Sequence, residues 1–162
     1  MDSLKDVYID QLQDLYSANK QAVTATRDLA KAAVSDSLQR ALERGVEGIE
    51  DGCDKIETLL RNHDEDTGGT HCKGMEGLVR EAQAHALKEQ FKVDAVRDAV
   101  IISQYQRMVH YAIAGYGCAA AFATQLDLVE DAKTLKEMLD AAYSGDRTMS
   151  GIAEQKVNES AA

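Results

Sequence analysis

The sequence contains no proline and no tryptophan, and it has only two phenylalanines. Proline breaks helix interiors and punctuates turns, so its complete absence favours long uninterrupted helices. Long apolar runs are missing too. None approaches the roughly 20 residues that a membrane-spanning helix requires, although hydrophobic residues make up 44% of the chain, enough for one core. The opening, MDSLKDVYIDQL, lacks the basic and apolar regions of a secretory leader, so none is expected. Cysteines are few, odd in number and widely spaced: Cys53, Cys72 and Cys118. That pattern argues against a disulfide framework and against a Cys-x-x-Cys zinc site, and it points to a reducing, cytoplasmic setting. Basic residues are outnumbered, with 18 Lys and Arg against 28 Asp and Glu and a net charge of −10. Such a surface repels phosphate backbones, and no dense basic patch stands out, so nucleic acid is disfavoured as a partner.

What is present is helical periodicity over almost the whole length, which at 162 residues suits one domain. The first segment, about Leu4 to Ala33, carries an apolar stripe through Leu4, Tyr8, Leu12, Leu15, Ala22 and Leu29, in steps of three and four. Asn19 interrupts that stripe. After a break at Val34-Ser35-Asp36, where Ser35 or Asp36 is placed to cap the next helix, a second helix is expected from about Ser37 to Arg61. Its stripe is Leu38, Leu42, Ile49, Cys53, Ile56 and Leu60. Gly45, Gly48 and Gly52 run beside it. Each interior glycine costs roughly 1 kcal/mol against alanine, so the three require either close helix approach or a vacated side-chain position.

A polar loop, His63 to Thr70, precedes a shorter helix from about Lys73 to Lys88. A third long helix is expected over Val93 to Gln125. A fourth, from Val129 towards Val157, places Asp146 inside an otherwise apolar line. Residues Asn158 to Ala162 are expected to fray. Two long helices, a long connection with a short helix, then two more long helices describe an all-α, ferritin-like four-helix bundle with one crossover, forming a single domain over residues 1–162.

Short stretches carry a resemblance. Leu4-Lys5-Asp6-Val7-Tyr8, the run from Leu12 to Gln21, Cys72-Lys73-Gly74-Met75-Glu76-Gly77-Leu78, Val96-Arg97-Asp98-Ala99, the run from His110 to Gly117 and the run from Asp131 to Leu139 resemble the YciE/YciF family of ferritin-like bacterial stress proteins. The similarity covers nearly the whole chain. It implies a homodimer, consistent with the small residues Ala112, Ala114, Gly115, Gly117, Ala119, Ala120 and Ala121, which permit close contact with a neighbouring helix.

The departures from that family bear on function. Where the resemblance implies a Glu after Ser-Ala, the chain has Asn19. The second-helix pattern of acids becomes Gly48-Ile49-Glu50-Asp51-Gly52. The third-helix pattern Val-Glu-His-Tyr-Glu-Ile-Ala becomes Met108-Val109-His110-Tyr111-Ala112-Ile113-Ala114. The fourth-helix Leu-Glu-Glu-Glu run becomes Leu139-Asp140-Ala141-Ala142. Only His110, Asp140 and Asp146 remain as weak remnants of a metal ligand set.

A ferritin-like two-ion centre takes a Glu from each of two helices and a Glu-x-x-His pair from each of the other two. No Glu-x-x-His occurs: Leu60, Gly68, Ala82 and Arg107 lie three residues before His63, His71, His85 and His110. We therefore expect no metal, no cofactor and no enzymatic activity, and a structural or stress-associated role. The alternative is an iron- or manganese-binding bundle with oxidase-like chemistry through His110, Asp140, Asp146 and glutamates lying one turn out of the register assigned above.

Lesser candidates have plain readings beside them. Asn19 and Asp146 are candidates for a polar contact across the core, since a buried Asp needs a partner. Glu81 and His85, one turn apart, read as a surface pair. The His63–Asp66 loop with His71 and Cys72 reads as solvated chain. Cys53 and Cys118 read as inert core thiols.

Overall fold

The computed structural model describes residues 1–162, apart from the side chain of Lys156. Ser3 opens the first helix. Its Oγ accepts from the Asp6 amide at 3.2 Å, and the Asp6 carboxylate accepts from the Ser3 amide at 3.0 Å. This reciprocal cap satisfies two of the donors that a helix start leaves without partners. Helix α1 then runs over Leu4–Ala32 and buries Tyr8, Leu12, Leu15, Asn19, Ala22 and Leu29.

Helix α2 covers Asp36–Arg61. Ser35 holds the cap position but makes no capping bond; its Oγ lies 2.8 Å from Ser37 Oγ instead. The expected cap by Ser35 or Asp36 is not made; Asp98, brought in from a later helix, holds the turn ahead of α2 instead. Its two carboxylate oxygens accept from the Val34 and Ser35 amides at 2.9 and 2.8 Å. Asp98 is only 2% exposed, and these charge-assisted bonds offset its burial.

Helix α3, Lys73–Ala82, starts at Cys72, whose sulfur accepts from the Met75 amide at 3.4 Å, and continues into a wider π turn over Gln83–Lys88. Helix α4 spans Asp94–Gln125 and α5 spans Val129–Ile152. A second π turn, Ala153–Val157, leads into α6, Asn158–Ala161. The expected frayed tail is therefore helical to Ala161. Val157 is 3% exposed and packs into the core, which anchors this last turn.

Chain directions follow from the contacts. Asn19 meets Gly52 while Arg27 meets Glu50, and Asn19 meets Tyr116 while Val34 meets Asp98. Both α2 and α4 thus run antiparallel to α1, and so parallel to each other. That arrangement obliges the chain between them to travel the length of the bundle, with α3 laid against α1 and α4 on the way. Helix α5 returns beside α4 and closes against α2. The result is an all-α, ferritin-like bundle with a long crossover.

The core divides into two apolar clusters. One contains Leu29, Leu38, Leu42, Met75, Ile101 and Met149. The other contains Tyr8, Leu12, Leu15, Ile56, Leu60 and Leu135. Ala18 belongs to the first and Leu15 to the second, so the seam between them falls at Asn19.

Candidate functional site

At the seam Asn19 is 2% exposed. Its Nδ2 donates to Tyr116 Oη at 2.8 Å, and the Tyr116 hydroxyl lies 3.1 Å from Asn19 Oδ1. Burial pushes the Tyr116 phenol up to about 12, against the opposing effect of the Asn19 bond. The pair is uncharged at neutral pH. Gly52 completes it: a Cβ there would lie 3.1 Å from Asn19 Nδ2, 3.4 Å from Tyr116 Oη and 3.6 Å from the Met138 methyl. The missing side chain of α2 makes room for an amide–phenol pair.

Beside this seam a groove of about 320 Å³ opens between α2 and α5, with α1 and α4 as its floor. The glycine line of α2 forms one wall, and its three members differ. At Gly45 a Cβ would lie 2.5 Å from Tyr105 Oη, so only a bare backbone accommodates that ring. At Gly48 nothing lies within 4 Å, and the position faces open space. Gly45 and Gly52 thus reflect close packing, whereas Gly48 is a vacated side-chain position. Asn19, Gly48, Val109, Ala112, Ala141 and Ala142, six positions at which the family resemblance implies acids that the chain lacks, line this one groove.

The remnant candidates do not converge there. His110 is exposed on the flank between α4 and α5, and its Nε2 lies 3.1 Å from Asp146 Oδ1. Asp146 is half-buried and also accepts from Gln106 Nε2 at 2.9 Å. The expected Asn19–Asp146 contact is absent, because Asn19 turns to Tyr116 and Asp146 faces the side of α4 that carries Gln106 and His110. Asp140 is exposed and borders a separate surface hollow with Lys133 and Lys136. Among the described residues no three His, Cys, Asp or Glu side chains gather in a way that would hold a metal ion.

Other expectations fare differently. Glu81 and His85 form an exposed pair at 3.3 Å, shared with Glu89 on the next turn. His71 reaches Glu76 at 3.0 Å on the surface. Cys53 is buried, and burial pushes its thiol up to about 11. Cys118, expected in the core, is exposed, because it lies with Ala114 and Ala121 on the outer face of α4, while Ala119 and Ala120 of the same turn are buried.

His63, expected in a solvated loop, is instead largely buried. Its Nε2 lies 2.7 Å from Asp131 Oδ2, its Nδ1 meets Lys5 Nζ, and its ring stands edge-on to Tyr8. The Tyr8 hydroxyl donates to the same Asp131 oxygen at 2.8 Å. Burial holds the Lys5 ammonium below its ordinary pKa, with Asp131 and Glu65 opposing, and burial followed by the Asp131 bond raises the Tyr8 phenol. This cluster fastens the starts of α1 and α5 to the loop after α2. A third polar group joins Asp14, Tyr111 and Cys72: the Tyr111 hydroxyl donates to Asp14 Oδ2 at 2.9 Å and lies 2.9 Å from the Cys72 sulfur. It secures the start of α3.

Comparison with known proteins agrees with this architecture. Residues 3–162 match the family described as Domain of unknown function (DUF892). The chain belongs to the DUF892 family. It is 33% identical over 162 residues to Protein YciF of Escherichia coli (strain K12), covering 99% of this chain and 96% of YciF. The crystal structure of YciF, described as a stress protein, superimposes with a TM-score of 0.91 over 98% of this chain and 99% of that one. YcfI of Rhodopseudomonas palustris, at 23% identity, gives a TM-score of 0.87 over 93% of this chain and 94% of its own. A dodecameric thioferritin, the bacterioferritin-related protein of Bacteroides fragilis, gives 0.73 at 16% identity over 97% and 89%. The last two likenesses concern the fold alone.

The ferritin-like fold implies a two-ion centre, and the groove residues do not match that requirement. They offer an amide, hydroxyls, phenols, thioethers, alkyl groups and the cationic side chains of Arg44 and Lys55. The one carboxylate lining the groove, Asp51, already pairs with Lys55 at 2.7 Å. Two divalent cations in such a site would lack the anionic ligands that offset their desolvation.

Proposed function

We propose that this chain is a DUF892-family bundle that works without metal, as a non-enzymatic structural or interaction protein of the stress-associated kind, and that it acts as a cytoplasmic homodimer. The observation that carries this reading is the neutrality of the groove: the lining positions where the resemblance implies acids hold an amide, a glycine, a valine and two alanines among them, while the acids kept at Asp140 and Asp146 lie outside it. The Asn19–Tyr116 pair and Gly52 fill the mid-bundle space by packing and hydrogen bonding, so stability needs no ion there. The exposed small residues Ala114, Cys118 and Ala121 on α4 support self-association along that helix.

Elemental analysis of the purified chain tests the metal reading. Iron, manganese and zinc are expected far below one ion per chain; two ions per chain, lost on changing groove residues, would overturn it. Light scattering tests the assembly, with a mass twice the 17.7 kDa of one chain expected. The rival, a metal-binding bundle, draws on the His110–Asp146 contact. That rival requires ion binding that disappears in His110→Ala.

A further inference from the structure

The groove beside α2 has the features of a small-molecule site. Its lining is mostly apolar, with Met75, Met108, Met138 and Met149 among its residues. Methionine thioethers are polarizable and adaptable, and they make favourable contacts with aromatic rings. Size sets a second constraint. An apolar cavity of about 150 Å³ holds one benzene, so a groove of about 320 Å³ suits a bicyclic ring.

Two hydroxyls along the lining lack partners. Thr26 is 0% exposed and its Oγ1 has no hydrogen-bond partner. Tyr105, 4% exposed with its hydroxyl against the bare backbone of Gly45, makes no hydrogen bond among the described residues. A buried hydroxyl without an acceptor, as at Thr26, is costly, and native structures rarely keep one without reason. Both groups can donate. At the rim, Arg44 is exposed and carries no ion pair among the described residues. The neighbouring acids are occupied: Asp51 by Lys55, and Asp146 by Gln106 and His110.

We propose that this groove binds a small bicyclic aromatic carboxylate, its ring against the methionines and its carboxylate accepting from Thr26 and Tyr105 beside Arg44. The occupant enters between α2 and α5, where Gly48, Ala141 and Gly145 leave the mouth unobstructed. The inference rests on the groove being free of bound ions, a point that the elemental analysis decides separately.

Naphthoate, naphthylmethanol and naphthylmethylamine share a ring system and differ in charge, so their binding, followed by ring fluorescence and thermal midpoint, tests the proposal. Naphthoate is expected to bind roughly tenfold or more tighter than the alcohol, a difference of about 1.4 kcal/mol, with the amine weakest. Gly48→Leu places a side chain in open space and is expected to abolish binding while the ligand-free midpoint holds or rises. Ala141→Leu blocks the mouth from the opposite wall and serves if the first variant folds poorly. Arg44→Gln is expected to erase the preference for naphthoate over the alcohol, and Thr26→Val to weaken naphthoate several-fold. Failure of naphthoate to bind, binding that survives both blocking variants, or a preference untouched by Arg44→Gln would each overturn the assignment.

Discussion

Replacing Tyr116 by phenylalanine removes one oxygen from the seam. That oxygen is the sole hydrogen-bond partner found for the Asn19 side chain, at 2.8 and 3.1 Å. Asn19 is 2% exposed, so water does not readily replace it. A buried amide left unsatisfied costs about 1–3 kcal/mol. For a domain of this size, about 2 kcal/mol corresponds to a fall of roughly 4–8 °C in thermal midpoint. In urea, with a slope of about 2 kcal/mol/M, it moves the midpoint by about 1 M at constant slope. The companion variant Asn19→Leu/Tyr116→Phe removes both partners. It is expected to recover most of the loss, because an apolar pair of similar shape leaves nothing unsatisfied. A double-mutant cycle with Asn19→Leu then isolates the coupling. If Tyr116→Phe alone changes stability by less than about 0.5 kcal/mol, within the range of an ordinary surface substitution, the amide has another partner. The account of a neutral, packed mid-bundle would then be wrong.

The glycine line gives a paired test. Gly48→Ala is expected to stabilise the chain by about 0.5–1 kcal/mol through helix propensity alone, while Gly45→Ala is expected to destabilise it by about 1–3 kcal/mol by displacing the Tyr105 ring; chemical denaturation that ranks them in the opposite order refutes the packing assigned to α2. Asp98→Ala deprives the Val34 and Ser35 amides of their acceptors and is expected to cost about 2 kcal/mol or more, with hydrogen exchange accelerated first at the α1–α2 turn; unchanged protection there would show that the clamp is dispensable. Alkali gives a third expectation. Tyr105 and Tyr116 ionise near 12 in the folded chain, against an ordinary 10.0. The unfolded chain therefore binds fewer protons between those values, and stability falls as pH rises, by up to about 1.4 kcal/mol per unit for each phenol. The raised phenols of Tyr8 and Tyr111 add to the same fall, so Tyr105→Phe/Tyr116→Phe should lessen it without abolishing it, and an equally steep loss in the double variant would locate the effect elsewhere.

Features that repeat locally were legible in the sequence. Steps of three and four placed Leu12, Leu15, Leu38, Leu42, Ile56 and Leu60 inside, and the length of the connection after Arg61 implied the crossover. The unusual cost of three glycines in one helix allows close approach or a vacated position, and the structure holds both, the first at Gly45 and Gly52 and the second at Gly48. Partnerships were not legible, because they join residues far apart in the chain. Asn19 and Tyr116 are 97 positions apart, and Tyr8 and Asp131 are 123 apart. Asp131 reads from sequence as an ordinary acid in the first turn of a helix; only the fold reveals a tyrosine and a histidine on its carboxylate. Asp98 had one signal available, an acid in register with Ile101 and Ile102 on a buried face. His63 had none, since its loop is polar and rich in turn-forming residues.

Of the three thiols, Cys53 and Cys72 are enclosed and Cys118 stands free on the outer side of α4. Alkylating reagents should therefore attach to separated chains of the native sequence at a single place, and joining of two chains through that face of α4 should slow the reaction there. A spin label or fluorophore at that place reports the separation between copies in an assembly. It does so about two turns before the end of α4, inside the regular helix. The molecule thus carries its own spectroscopic ruler for the surface proposed to join two chains.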